Sequence, residues 1–567
     1  LQQQESSENH YNYFRNTYNP YQLDDPYTLE SLSNSQIPWG NINIVVLTDV
    51  HSWIAGGNHR DDPQHWPYDV HRTTNQNADY GDVLSFYQRL RGIVDEHNLH
   101  HHANNNQKRD LFFVMNGDFV DGTGLSEYPP THLAPLLSHM PWDAVNVGNH
   151  ELYHDETIHY ITNHHFEQGN YLSSNTRLTT YAANHRSTSD SNNSNNANTT
   201  IHPMAGQNYL YLQGHHTNTT ILTFGFLYDF DENSPATKSK SVEEVIREEW
   251  FQDVLNNTSQ FDAILVLAHM DCLDPLVQVL LEAIREALPP NRQSSMPIQF
   301  VTGHTHRRCH AKLDAHSESF EAGRFLDTIG FLSWDMGRNE ETSNNTIQKH
   351  DHNFQHRFWD VTKESLHTTL VQARETLRGK SHITTKQKNY EENDFDKDFG
   401  THEGRALSQA IRKTQTLLGL DETLGCSPNT YGIFQHNPHQ KHKMSSTSLF
   451  HLYLSEMLPT QLLAPIWKGH QNEQHFEQNI GEPVFVAGSG SLRYTLFAGP
   501  VTVNDLIAID PFNNSIFELV ATVANNGSMA AAEEQQQQLQ PIYGHELQEW
   551  LEAANNLYAQ VAEYGMP

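Results

Sequence analysis

Short apolar runs, each of a length suited to one buried strand, recur through the first half of this chain and constrain its fold more than any other feature. They are Ile42 to Leu47, Leu111 to Met115, Ala144 to Val147, Ile221 to Leu227, Ala263 to Ala268 and Ile298 to Thr302. Helix-type spacing lies between them. In Gly81 to Glu96, for example, Val83, Leu84, Leu90, Ile93 and Val94 share one face. Strands interleaved with helices predict an α/β domain. In such sheets ligands collect beyond the carboxyl ends of the strands, where loops converge. The polar motifs of this sequence fall at those ends: Asp49-Val50-His51, Gly117-Asp118 with Asp121 and Gly122, Gly148-Asn149-His150-Glu151, Ala268-His269, and Gly303-His304-Thr305-His306.

Two Asp, one Asn and several His form a mixed oxygen and imidazole set suited to two borderline divalent ions, with zinc or manganese expected and iron or cobalt as alternatives. The Asp-x-His spacing puts Asp49 and His51 on the same side of a strand end. Asp118 is the natural bridge, since one carboxylate can hold two cations about 3.5–4 Å apart. Asn149 offers a neutral carbonyl oxygen, and His269, His304 and His306 offer imidazoles. Taken singly, these pieces read equally well as ordinary structure. Asp49 could be a strand-end cap, His51 a surface side chain, and Asp118 to Gly122 a turn. Their succession at strand ends favours a metal centre.

That succession resembles the calcineurin-like metallophosphoesterases, and especially their 5'-nucleotidase branch, over roughly residues 42–335. The resemblance implies a β-sandwich flanked by helices, with one metal held by Asp49, His51, Asp118 and His306. A second metal would be held by Asp118, Asn149, His269 and His304. It implies that His150 is a catalytic, non-ligand histidine contacting the phosphoryl group or the leaving oxygen. In that branch an Asp commonly stands three residues after this histidine, where this chain has Tyr153. Asp155 or Glu151 is the expected substitute, unless His150 acts alone; Asp121 is expected to support the ligands from behind or to shape its loop rather than to bind metal.

The later segment Gly488 to Arg493, with Gly499-Pro500-Val501-Thr502 and Pro511-Phe512-Asn513, is similar to the C-terminal α/β substrate domain of the same branch. By that likeness Arg493 grips phosphate, as a guanidinium fork suits its oxygens, and Phe512 stacks on the base. Gly488 stands where the family usually has Asn, and the later Gly-rich loop with a second aromatic has no counterpart. Glu403 to Ser408, Leu418 to Leu420, and Leu424 to Pro428 with Tyr431 resemble a fungal subgroup of these nucleotidases. The implied reaction is hydrolysis of a nucleoside 5'-monophosphate. The alternatives are a nucleotide pyrophosphatase, a nucleotide-sugar hydrolase or a broad phosphomonoesterase. A catalytically dead nucleotide-binding protein would lack metal ligands, and none is missing.

The 567 residues exceed one core, and the boundaries expected are an arm over 1–36, a catalytic domain over 37–361, a linker helix and loop over 362–400, and a substrate domain over 401–567. With 35 Lys+Arg against 68 Asp+Glu, the formal charge of −33 disfavours a nucleic-acid backbone as partner. It does not disfavour a small nucleotide, because bound cations reverse the local field. No run reaches the length of a membrane span, and no feature bears on oligomeric state. Cys272, Cys309 and Cys426 are expected as free thiols, with one bridge between two of them left open. Asn-x-Ser/Thr sites at Asn192, Asn198, Asn218, Asn256, Asn257, Asn344, Asn513 and Asn526, with the fungal resemblance, favour a vacuolar or secreted location over a cytoplasmic one. Ser187 to Thr200 is too polar to order itself, and Leu547 to Val561 has the spacing of a docked helix.

Overall fold

The computed structural model describes residues 37–56, 77–101, 107–164, 169–179, 203–336, 339–341, 347–349, 352–378, 399–432, 436–437, 440–444, 448–452 and 492–511. The expected N-terminal arm, Ser187 to Thr200, most of Gly379 to Gly400, Gly488 to Ser491, Phe512 and the C-terminal helix lie outside these residues.

In chain order the strands of the first half are β1 (Ile42–Leu47), β2 (Asp110–Asn116), β3 (Ala144–Asn146), β4 (Tyr171–Leu172), β5 (Thr176–Leu178), β6 (Tyr209–Gln213), β7 (Thr220–Leu227) and β8 (Thr237–Ser239). They continue as β9 (Ala263–His269), β10 (Ile298–Thr302), β11 (Arg308–Asp314), β12 (Ser317–Ala322), β13 (Thr328–Trp334), β14 (Asn339–Glu341), β15 (Ile347–Lys349) and β16 (Gln355–Asp360). Two six-stranded sheets result, with orders β16-β13-β1-β2-β3-β4 and β11-β12-β10-β9-β7-β6. The motif-bearing strands are parallel neighbours: β1 with β2 and β2 with β3 in the first sheet, β7 with β9 and β9 with β10 in the second. Their carboxyl ends therefore emerge together.

Side-chain alternation makes this a sandwich. Ile42, Ile44 and Val46 of β1 pack with Ala263, Leu265 and Leu267 of β9 in the core between the sheets. The intervening Ile264, Val266 and Ala268 face the opposite way, against Val277, Leu280 and Ile284 of the helix Pro275–Ala287. Covered on both faces, such strands read as continuous apolar runs. On the outer face of the first sheet, Tyr87 of the helix Tyr80–His100 stacks on Phe113 with ring centroids 4.5 Å apart. The fold is the expected mixed α/β sandwich flanked by helices.

Two compact units divide the chain. Of the described residues, one holds those from 37 to 121 and from 125 to 414; the other holds 122–124 and those from 415 onward. The helix Lys363–Arg378, expected as a linker, belongs to the first unit: it buries Leu366, Leu370 and Ala373, and its Leu377 carbonyl accepts from His97 Nδ1 at 2.9 Å. The start of the helix His402–Leu417 belongs there too, with Ser408 Oγ donating to Asp79 Oδ1 at 2.6 Å. A Cβ on Gly404 would collide with the Gly81 carbonyl, so these two helices meet backbone to backbone. A helix followed by a polar stretch carries no local mark of what it packs against, so these contacts could not be read from the sequence. In the second unit Thr423–Ser427 pairs antiparallel with Gly499–Thr502, which leads into the helix Val503–Ile509.

Cys272 and Cys309 form a disulfide, with Cα atoms 6.2 Å apart and a separation of 37 positions in sequence. This corrects the expectation of free thiols for these two. One follows β9 and the other lies on β11, so only the sheet topology brings them together. Cys426 is free and exposed.

Candidate dinuclear metal centre

The first, second and last motifs turn sharply out of their strands. Asp49, His51, Asp118, Asp121, His304 and His306 all have positive φ, between 47° and 74°. Non-glycine residues enter this region at a cost of order 1–2 kcal/mol and persist only where the surroundings hold them. Here the loops hold each other: the N–H groups of Asp49, His51 and Ser52 donate to the carbonyls of Gly117, Asp118 and Phe119 at 3.1, 2.9 and 2.9 Å. Close approach does the rest. A Cβ on Gly148 would run into Asp118 Oδ1, and one on Gly303 into Asp49 Oδ2 and Thr48 Oγ1.

Buried carboxylates and amides behind the loops complete the frame. Glu151 is fully buried and accepts from four backbone N–H groups, those of Asp118 (2.9 Å), Phe119 (2.9 Å), Val120 (3.2 Å) and Gly148 (2.8 Å). Glu321 on β12 does the same for the last motif, accepting from Thr305 Oγ1 at 2.7 and 2.8 Å and from the Arg307 N–H at 2.9 Å. Between the sheets Asn146 Nδ2 donates to Asn116 Oδ1, Phe226 O and Leu267 O, while Asn116 Nδ2 reaches Ala268 O and Val301 O. These amides tie the strand ends of one sheet to those of the other. Sequence reading missed Glu321, Asn116 and Asn146; a polar residue within an apolar strand run was the available signal.

The donor atoms converge as the motifs suggest. Those of Asp49, His51 and His306 lie within 4.8 Å of one another, as do those of Asp118, His269 and His304. Asp118 lies between the two groups, its Oδ2 3.0 Å from His269 Nε2 and 3.5 Å from His51 Nε2. The imidazoles are held in one orientation: His51 Nδ1 donates to Asp121 O at 2.8 Å and His269 Nδ1 to Asn116 O at 2.7 Å, which leaves both Nε2 lone pairs facing inward. His51 Nε2 and His306 Nε2 stand 3.1 Å apart, a spacing suited to two ligands of one ion.

Asn149 and Tyr153 act together. Asn149 Nδ2 donates to the Tyr153 hydroxyl at 2.8 Å, while its Oδ1 is buried and has no hydrogen-bond donor. A buried carbonyl oxygen without a donor is costly unless a cation uses it. This orphaned oxygen, the inward Nε2 atoms and the converging carboxylates all fit a pair of divalent ions.

The electrostatics have the same sense. Burial pushes the Asp49 carboxyl up to about 7, with Asp118 adding to the rise and His269 opposing it. Burial also opposes charge on Asp118, but His269, His150 and His51 outweigh it and hold this carboxyl well below its ordinary range. The His269 imidazole, which burial would drive down, is lifted to about 10 by Asp118 and Asp49. Deeply buried carboxylates here favour positive charge beside them, and a bound cation would displace the protons that otherwise supply it.

His150 lies beside this cluster, its ring centroid 4.6 Å from that of His51 and its N–H donating to Asp118 Oδ1 at 2.9 Å. Its partner is Asp121, whose Oδ2 is 3.0 Å from His150 Nδ1. Asp121 Oδ1 in turn accepts from the Tyr128 hydroxyl at 2.7 Å. This corrects the expected substitutes. Glu151 is committed to the loop N–H groups, and Asp155 accepts from Ser234 Oγ at 2.5 Å. Tyr153, at the position of the missing acid, holds Asn149 instead. Arg493 lies in the second unit, half-buried, with its N–H donating to Ile509 O at 2.8 Å. Phe512, the expected stacking ring, is outside the described residues.

Residues 42–308 match the family model of the calcineurin-like phosphoesterases. A 5'-nucleotidase from Candida albicans has a similar fold: TM-score 0.60 at 23% identity, covering 85% of this chain and 73% of that one. In sequence the chain is 25% identical over 496 residues to an uncharacterized protein of Schizosaccharomyces pombe, covering 86% of this chain and 71% of that relative. It is 24% identical over 515 residues to a protein of Arthroderma benhamiae described as a secreted protein, covering 86% and 67%. Among the described residues no helix is long and apolar enough to cross a membrane.

Proposed function

We propose that this protein is a two-metal phosphomonoesterase acting on nucleoside 5'-monophosphates, with nucleoside and orthophosphate as products. The observation that carries the reading is the convergence of Asp49, His51 and His306 beside that of Asp118, His269 and His304, with the donorless Asn149 Oδ1 buried on the same loop as His150, which is turned toward Asp121. One ion would be held by Asp49, His51, Asp118 and His306, and the other by Asp118, Asn149, His269 and His304. When bound, such a pair supplies Lewis acidity toward phosphoryl oxygens and an acidified water.

The chain's own residues do the rest. Asp121 accepts the Nδ1 proton of His150, which fixes the ring's orientation. His150 Nε2 is then the atom that donates to a phosphoryl oxygen or protonates the departing alkoxide. The buried Glu151 and Glu321 keep the ligand loops from shifting when charge changes at the centre. Arg493 would grip phosphate and Phe512 would stack on the base. The nucleotide reading is supported by the fold shared with the Candida albicans 5'-nucleotidase. The Cys272–Cys309 disulfide, together with the secreted relative, supports a secretory-route location, extracellular or vacuolar.

The test is phosphate release by zinc- or manganese-loaded protein from AMP, NAD, UDP-glucose, ATP and an aryl phosphate, beside the Asp118→Asn variant. Preferential turnover of AMP, abolished in the variant, is expected. Release from NAD or UDP-glucose in preference to AMP would overturn the monoester reading, and full activity of Asp118→Asn would overturn the metal centre.

A further inference from the structure

Away from the dinuclear centre, at one edge of the sandwich, a second group of metal-binding side chains comes together. His310 is on β11, Glu318 on β12 and His356 on β16. In the β11–β12 ladder His310 stands opposite Phe320 and Lys312 opposite Glu318, so His310 and Glu318 are diagonal neighbours on one face. β11 is the edge of the second sheet and β16 the edge of the first. The cluster therefore spans the seam where the two sheets end.

Its geometry suits a cation. One donor atom from each of the three residues lies within 4.8 Å of the others, and His310 Nε2 is 2.8 Å from Glu318 Oε2. The two imidazoles lie face to face, with centroids 3.8 Å apart and planes 23° from parallel. The side chains are sheltered without being sealed: His310 is 28% exposed and Glu318 12%. Phe320 and Phe358 stack beneath them at 4.7 Å, and each ring centroid is 5.9 Å from that of His356.

We propose that His310, Glu318 and His356 bind a third divalent ion, zinc by preference, which clamps the edge strands of the two sheets together. Two imidazoles and a carboxylate are a ligand set that zinc accepts with a fourth position left to water. With metal–ligand distances of about 2.0–2.2 Å, a tetrahedral ion holds its ligand atoms roughly 3.3–3.5 Å apart. To meet on one ion the 4.8 Å envelope contracts and the stacked imidazoles rotate, because each lone pair lies in its ring plane. None of these residues belongs to the dinuclear donor set, so the two centres are separable.

The test counts metal on the whole chain. Protein stripped with a chelator is reloaded with zinc alone, dialysed, and assayed for bound zinc and for its thermal midpoint with and without the ion. The wild-type chain is expected to hold about one zinc more than Glu318→Gln or His356→Ala, while both variants keep phosphoesterase activity. Part of the zinc-dependent rise in thermal midpoint should disappear with that ion. Equal zinc content in wild type and Glu318→Gln, a near-isosteric change, would overturn the proposal. Should His356→Ala fail to fold, a zinc-soaked crystal of the wild-type protein decides: an anomalous peak between the three side chains is expected, and its absence refutes the site.

Discussion

Glu151→Gln is the sharpest probe of how this centre is built, because it changes one atom in a residue expected to touch neither metal nor substrate. Oε2 accepts from the N–H groups of Asp118 and Gly148, and Oε1 from those of Phe119 and Val120, at 2.8 to 3.2 Å. A carboxamide keeps one oxygen and can serve only one of these pairs. The other pair would face an NH2 group, donor against donor, in a site with no solvent exposure. Leaving a buried donor unsatisfied costs about 1–3 kcal/mol, so two cost about 2–6 kcal/mol. Against a typical stability of about 5–15 kcal/mol, that is a large fraction. The protein can avoid some of the cost by releasing the Asp118 loop from its left-handed conformation, which moves the shared carboxylate. Urea unfolding of metal-free protein should therefore show a loss of at least about 2 kcal/mol, or zinc titration should show weakened binding with preserved stability. Stability within about 0.5 kcal/mol of wild type, with unchanged zinc affinity and turnover, would refute the role given to these hydrogen bonds.

Asp121→Asn should lower kcat on an aryl phosphate by about 10²–10⁴-fold with zinc content unchanged, and a change under twofold would mean that His150 needs no partner. Tyr153→Phe removes the acceptor that turns Asn149, and should weaken binding of one ion by about 10–100-fold; equal affinity in a competition titration would dismiss that role. Chelation should abolish phosphate release, and added Zn, Mn or Co should restore it, as followed by a phosphate assay. Gly404→Ala places a methyl against the Gly81 carbonyl and the Ser85 hydroxyl. It should cost about 1–3 kcal/mol in urea unfolding, and a neutral result would argue against close packing of those helices.

The ligand motifs were readable because the chemistry is local. A run such as Ala263 to His269 announces a strand covered on both faces, and the histidine ending it can only emerge at the rim. The partner of His150 was not readable. Asp121 precedes it by 29 residues, and meets it only because positive φ at Asp118 and Asp121 turns the second loop back over the third. Proximity in sequence favoured Glu151 and Asp155, and tertiary contacts employ both elsewhere. Tyr153 looked like a defect; its hydroxyl holds the Asn149 amide.

By itself, then, the amino-acid order determined strand positions, the kinds of donor at their ends and the class of ion those donors suit, because periodicity and side-chain chemistry survive without a fold. Tertiary structure alone decided which acid faces His150, which cysteines join, where the first unit ends, and that two sheet edges bring His310, Glu318 and His356 together. Each of those depends on distances between segments far apart in the chain, set by sheet order and loop backbone, and no local pattern encodes them.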